Sequence, residues 1–379
     1  MVSGVTLDRR TFCGALLLGG LGTLQPARSS EPLAITDMAG RKIQLPGTPK
    51  RIVLLEARDI ISMAMLHPDP ASLVVGWAAA DRIDSQFLKE RFEEGHRIQE
   101  VGKQTPDTVS LEGLVSLSPD LVVANFYMAP QGGDDLLVER LESIGIPVIF
   151  SDLSSNASAG QPAAKGAIGD FREHMRMWGE VLDASDKAAA YIAFFDKHLE
   201  RVTSCVAGSA PVTTYLEVQS TVDDCCWAAG NKVWGELLEL AGGRTLPGVT
   251  APWFQKLQLE YLLSTPHDVY VASGGGWSAG GRPSIGPGLA SVKGREGLER
   301  LIGRTGFDQL SSVRNKRVHG IWTGLIAVPP LNILFIELAA KWLHPERCQD
   351  IDPSATLAEI NERFLGMPIE GPFWASLEG

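Results

Sequence analysis

Ser110-Leu-Glu-Gly-Leu-Val-Ser-Leu-Ser-Pro-Asp-Leu-Val-Val-Ala124 reads as a short helix, a Pro-Asp turn and an apolar strand. Gln258-Leu-Glu-Tyr-Leu-Leu-Ser-Thr-Pro-His-Asp-Val-Tyr-Val-Ala272 repeats it. Leu111, Glu112, Leu114, Asp120 and Ala124 recur 148 positions later as Leu259, Glu260, Leu262, Asp268 and Ala272. One such unit in each half implies the same helix–strand element in two related lobes.

The flanking sequence extends each unit. Apolar strand-like runs at 51–55, 73–76, 121–124 and 147–150 alternate with helical runs at 59–66, 111–117 and 136–144. That rhythm implies an α/β fold with a parallel sheet covered on both faces. Residues 165–202 then hold only helical periodicity, with a break at Asp183-Ala-Ser185. A second α/β set follows: strands at 212–218, 269–272 and 317–321, helices at 233–241 and 297–302, and closing helices at 330–343 and 355–364. The expected layout is an N-terminal lobe over residues 30–164, connecting helices over 165–204 and a C-terminal lobe with tail helices over 205–379, the ligand cleft lying between the lobes.

Residues 1–29 stand apart. Arg9-Arg10 precedes the apolar run Cys13–Leu24 and the small residues Ala27 and Ser29, the pattern of a cleavable twin-arginine export signal. The run is too short for a bilayer span, which needs roughly 20 residues. The roughly 350 residues that remain exceed one ordinary core and imply two domains. The formal net charge is −11, and residues 1–29 carry three arginines against one aspartate, so the exported part is more acidic still. Nonspecific nucleic-acid binding needs a basic surface and is excluded. The remaining cysteines, Cys205, Cys225, Cys226 and Cys348, are too few for a disulfide scaffold and include no C-x-x-C pair; their pairing is not readable.

Four stretches resemble the periplasmic binding proteins for iron-siderophores, haem and cobalamin: 35–55, 111–123, Trp234-Gly-Glu-Leu-Leu-Glu-Leu-Ala-Gly-Gly243, and the C-terminal third with Val313-Arg-Asn-Lys-Arg-Val318 and Ala340-Lys-Trp-Leu-His-Pro-Glu346. The resemblance covers nearly the whole exported chain. It implies two Rossmann-like lobes joined by one long helix, and a monomeric, non-enzymatic binding component of an ABC importer in the periplasm. It also implies a permease and its ATPase as partners and an Fe(III)-chelate as bound ligand, with a ferric siderophore leading and haem or cobalamin as alternatives. Glu112 and Glu260 match the positions at which each lobe docks to permease arginines, an arrangement that fixes orientation through bidentate pairing.

In open α/β sheets ligands lie beyond the carboxyl ends of the strands. The loops expected there carry Arg58, Trp77, Tyr127, Trp227, Trp253, Trp277 and Trp322, a set suited to a bulky, partly apolar chelate. Arg58, Arg82 and Arg282 are the cations placed to meet an anionic chelate. Tyr127 offers a phenolate for haem iron. No cofactor of the protein's own is expected, and no histidine pair has metal-ligand spacing. Gly276-Trp-Ser278-Ala-Gly280 fits the G-x-S-x-G motif of a serine hydrolase, but the glycines and prolines after it cannot form the helix a nucleophile elbow requires.

Overall fold

The computed structural model describes Met1 and residues 32–130, 137–152, 165–276 and 281–377. The twin-arginine segment, Trp277 and Ser278 lie outside the described residues. β1 (Leu33–Thr36) and β2 (Lys42–Leu45) form an antiparallel hairpin. The N-terminal sheet is wholly parallel and contains β3 (Ile52–Leu54), β4 (Val74–Ala78), β5 (Gln99–Gly102), β6 (Leu121–Asn125) and β7 (Val148–Asp152), in the order β5-β4-β3-β6-β7. Every residue of β3 and β6 is buried, as expected of central strands covered on both faces. The chain winds one way from β3 to β5 and the other way through β6 and β7, so the topological switch point lies between β3 and β6. Helices α1 (Asp59–Ala64), α2 (Gln86–Glu93), α3 (Leu111–Ser116) and α4 (Leu137–Ser143) complete this lobe.

Two helices, α5 (Gly166–Val181) and α6 (Ser185–Val206), lead to the second lobe. The break at 182–184 divides what the resemblance implied would be one helix. Asp183 turns left-handed there (φ 51°), and Ala184 N–H donates back to Gly179 O at 2.7 Å. At 22 residues, α6 alone spans about 33 Å.

The C-terminal sheet is mixed rather than parallel, which corrects the expectation of two parallel sheets. Its strands are β8 (Val212–Glu217), β9 (Trp227–Ala229), β10 (Gly243–Arg244), β11 (Phe254–Lys256), β12 (Val269–Gly274), β13 (Val318–Trp322) and β14 (Trp374–Ser376). Strands β8, β10, β12 and β13 are mutually parallel, whereas β9, β11 and β14 join the edges antiparallel. Strand β9 follows β8 by a short reversal of the chain, whereas β11 and β14 return to the sheet after intervening helices. Helices α7 (Trp234–Leu240), α8 (Leu259–Ser264), α9 (Ser291–Ile302), α10 (Ser311–Arg314), α11 (Gly324–Ala327), α12 (Asn332–Leu343) and α13 (Pro353–Arg363) cover it. One hydrophobic core runs through the N-terminal lobe, the connecting helices and α12, and a second fills the far face of the C-terminal sheet around Tyr215, Tyr270, Leu298 and Phe307. Cys205 at the end of α6 is disulfide-bonded to Cys348 beyond α12. No helix among the described residues is long and apolar enough to cross a membrane.

The repeat has the same form in both lobes. Leu114 of α3 and Leu262 of α8 are fully buried, Glu112 and Glu260 are exposed, and Val115 and Leu263 are each 39% exposed.

Candidate functional site

The loops at the carboxyl ends of the two sheets face one another across a cleft of about 630 Å³, a size that suits a small-molecule site. It is lined by Arg58 and Arg82 from the N-terminal lobe, and by Gln219, Trp253, Phe254 and Arg282 from the other. An inner chamber of about 190 Å³ lies against the start of α5 and shares Arg58, Trp234, Trp253 and Ala327 with the outer cleft.

Glu56 organises the N-terminal wall. It follows β3 at the switch point and is buried, with 6% of its side chain exposed. Arg58 donates to both its oxygens, Nε to Oε1 and Nη2 to Oε2, each at 2.8 Å. Arg82 Nη1 donates to Oε2 at 2.9 Å, and Asn125 Nδ2, at the end of β6, at 3.3 Å. Burial works against the ionised carboxylate, but Arg58 and then Arg82 outweigh it and hold the Glu56 pKa at about 2. The same pairing raises the Arg58 pKa against the burial that disfavours its charge.

Arg282 on the opposite wall donates through Nη2 to Gly274 O at 2.9 Å, Thr323 Oγ1 at 2.8 Å and Asp84 Oδ2 at 3.3 Å. Arg58, Arg82 and Arg282 all line the cleft. Each arrives already bonded to a carboxylate, however, so the cleft is a balanced ionic surface rather than an open cationic one.

Asp84 also bridges the lobes. Its backbone is left-handed (φ 54°), and its carbonyl accepts from Gly276 N–H at 2.8 Å and from Trp322 Nε1 at 3.1 Å. Ser85 Oγ donates to Pro287 O at 3.0 Å. The approach needs glycine: a Cβ on Gly275 would collide with the Asp84 carboxylate, and one on Gly276 would lie 2.7 Å from Asp84 O.

The aromatic expectations divide. Trp253 lines both chambers. Trp77 and Trp322 do not reach the cleft surface: β4 and β13 run on through them, and both rings are fully buried, at 1% and 0% exposure. Trp322 instead holds the lobe bridge. Trp227 lies on β9 outside both chambers, its Nε1 donating to Asp224 Oδ2 at 2.9 Å and its ring meeting Phe254 edge-on. Tyr127 also lies outside them, with the Arg82 guanidinium 5.0 Å from its ring centre. Trp234 is not among the loop residues that the sequence offers. It is the first residue of α7, and that places it at the sheet end, where it lines both chambers. His174 and Asp170 sit in a helix whose sequence shows only its amphipathic period, and their place in the inner chamber comes from tertiary packing.

One group among the described residues brings metal-ligating atoms together: Glu217, Cys225 and Cys226. Its donors are already committed. Arg304, Tyr215 and Tyr270 all donate to Glu217, and the two cysteines are bonded to each other. Residues 282–290, beyond the G-x-S-x-G motif, contain no helix.

A family model described as periplasmic binding protein matches residues 63–321. The chain belongs to that family. Its members are solute-binding proteins, not enzymes. The probable siderophore-binding lipoprotein YfiY of Bacillus subtilis (strain 168) is 23% identical over 171 residues, a match that spans 45% of this chain and 45% of that protein. Among solved structures, the TroA-like periplasmic binding protein FepB from Veillonella parvula superposes with a TM-score of 0.75 at 21% identity, covering 91% of this chain and 99% of that one. MolA, the molybdate periplasmic binding protein of Haemophilus influenzae, superposes with a TM-score of 0.70 at 17% identity, covering 89% and 99%. At these identities the likeness carries the fold, which serves more than one kind of solute.

Proposed function

We propose that this periplasmic binding protein captures a ferric siderophore between its lobes and delivers it to an ABC permease and its ATPase. The observation that carries the reading is the cleft itself: about 630 Å³ at the carboxyl ends of both sheets, walled by arginines on one side and by Trp253 and exposed Phe254 on the other. A chelate with an apolar shell and a polar face suits such a wall. The siderophore-binding relative supports the iron assignment. Residues 1–29 would export the chain by the twin-arginine route, and the lobes would divide at 30–164 and 205–379 about the connecting helices.

Arg58, Trp253 and Trp234 are the ligand contacts of this reading. Titration of intrinsic tryptophan fluorescence with ferric siderophores, haem, cobalamin and free iron tests it. Saturable quenching by a ferric siderophore and not by free iron is the expected result. Saturation by haem or cobalamin instead would reassign the ligand, and a flat response to all four, confirmed by calorimetry, would sink the reading.

For permease docking, the equivalent exposure of Glu112 with Val115 and of Glu260 with Leu263 supports one matched contact per lobe: a carboxylate for a guanidinium beside an apolar side chain one helical turn on. Replacing both glutamates by alanine should leave ligand affinity within about twofold while uptake falls by about tenfold or more. Normal uptake by the double variant would remove the assignment.

A further inference from the structure

The inner chamber differs in chemistry from the outer cleft. Asp152 and Asp170 line it together with Glu56 and with Asp59, whose carboxyl burial pushes well above the usual carboxylate range, and Arg58 is the one cation among its described lining residues. Two of the Arg58 nitrogens are already bonded to Glu56. His174 supplies a separate observation. Its side chain lines the chamber and is 97% buried by its 3% exposure. Its Nδ1 lies 2.8 Å from Ser151 O, and a carbonyl only accepts, so Nδ1 carries the proton. Nε2 is therefore a bare lone pair, buried and without a partner among the described residues. Burial lowers the His174 pKa, which keeps the ring in this neutral form. Trp234, Trp253 and Phe171 supply aromatic wall. The Asp170 carboxylate and the bare His174 nitrogen thus offer acceptors in a space bounded by aromatic rings, the combination that recognises an organic ammonium group.

We infer that the inner chamber receives a protonated amine carried by the cargo, an alkylammonium arm held by Asp170, by His174 Nε2 and by the rings of Trp234 and Trp253. The inference rests on the reading of the outer cleft as a chelate site and adds the class of chelate: one whose ligand backbone ends in a primary amine. The metal centre would remain in the outer cleft, because the inner volume of about 190 Å³ accommodates an alkyl arm and not a ferric complex.

Calorimetry on the purified chain with three probes tests this: the ferric complex of a linear trihydroxamate ending in a primary amine, the same complex with that amine acetylated, and pentylammonium alone. Acetylation removes the charge and leaves the metal centre unchanged. The amine complex should bind about tenfold tighter than the acetylated one. In Asp170→Asn, which keeps an acceptor for Lys165 N–H, the ratio should shrink to about threefold or less while the acetylated complex binds as before. Equal affinities of the two complexes for the wild-type chain would overturn the inference and leave the chelate reading standing. Binding of pentylammonium but of neither ferric complex, weakened in Asp170→Asn, would support the chamber's role and remove the chelate reading. Binding of none of the three would overturn both.

Discussion

Each lobe buries a glutamate at the end of its first central parallel strand, and the two are used differently. Glu217 ends β8 with none of its side chain exposed, and Arg304, itself 5% exposed, donates to both of its oxygens at 2.9 Å. Tyr215 and Tyr270 complete the shell at 2.8 and 2.5 Å. Every partner of that carboxylate is internal. Glu56 lies two residues beyond β3, and its arginines are 24% and 21% exposed and face the cleft. One ionic cluster is sealed into the sheet; the other is turned outward so that the guanidiniums bonded to it line the cleft. A buried ion pair is weak evidence for function, and what separates these two is whether the cation's free edge is accessible.

The largest expected effect lies in the sealed cluster. Arg304→Met would leave Glu217 ionised and buried without its partner, at a cost of about 3–5 kcal/mol in urea denaturation. Ligand affinity of the folded fraction should not change. A loss below about 1 kcal/mol would show that the cluster relaxes or takes up water, and the contrast would fail.

The next effect is a pH dependence. The folded-state pKa of Glu56 is depressed from 4.5 to about 2. Its contribution is therefore complete above pH 4.5 and drains as pH falls toward 2, on the order of 2–3 kcal/mol for a buried group. Glu56→Gln has no such carboxylate to protonate. Stability measured at pH 5 and at pH 2.5 should fall more steeply for the wild-type chain than for the variant; parallel declines would mean that the arginines do not hold Glu56 ionised. The smallest effect is that of Arg82→Ala, about 1 kcal/mol in stability because the pair is partly solvated. It should act mainly on chelate affinity, and an unchanged dissociation constant would place the solute away from this wall.

Much of this architecture is legible in the sequence because the signals are local. The Leu-Glu-x-Leu units, the apolar strand runs and the break near Asp183 each follow from neighbouring residues, and each has its counterpart in α3, α8, the central strands and the junction of α5 with α6. The short outer strands are not legible: β9, β11 and β14 hold three residues each, and β5, Gln99-Glu-Val-Gly102, has no apolar run. Trp77 and Trp322 were placed in loops because the apolar runs before them end early, whereas main-chain pairing carries each strand on through its tryptophan. The arginines were found and their neutralisation was not. Arg82 meets Glu56 across 26 residues and Arg282 meets Asp84 across 198, so both pairings arise from topology alone.

The seam at Asp84 has one further consequence. Gly276 N–H and Trp322 Nε1 both reach the carbonyl of Asp84, and Ser85 reaches that of Pro287, so the acceptors on both sides are main-chain atoms that no side-chain replacement removes. What substitution does control there is spacing. Two adjacent positions, Gly275 and Gly276, let the lobes touch only because neither carries a β-carbon. A single methyl group at 276, pressed against main-chain atoms, would be a shim driven into the spine of a book, spreading the covers. The closeness of the two lobes at this seam is therefore gauged by two atoms that are not there.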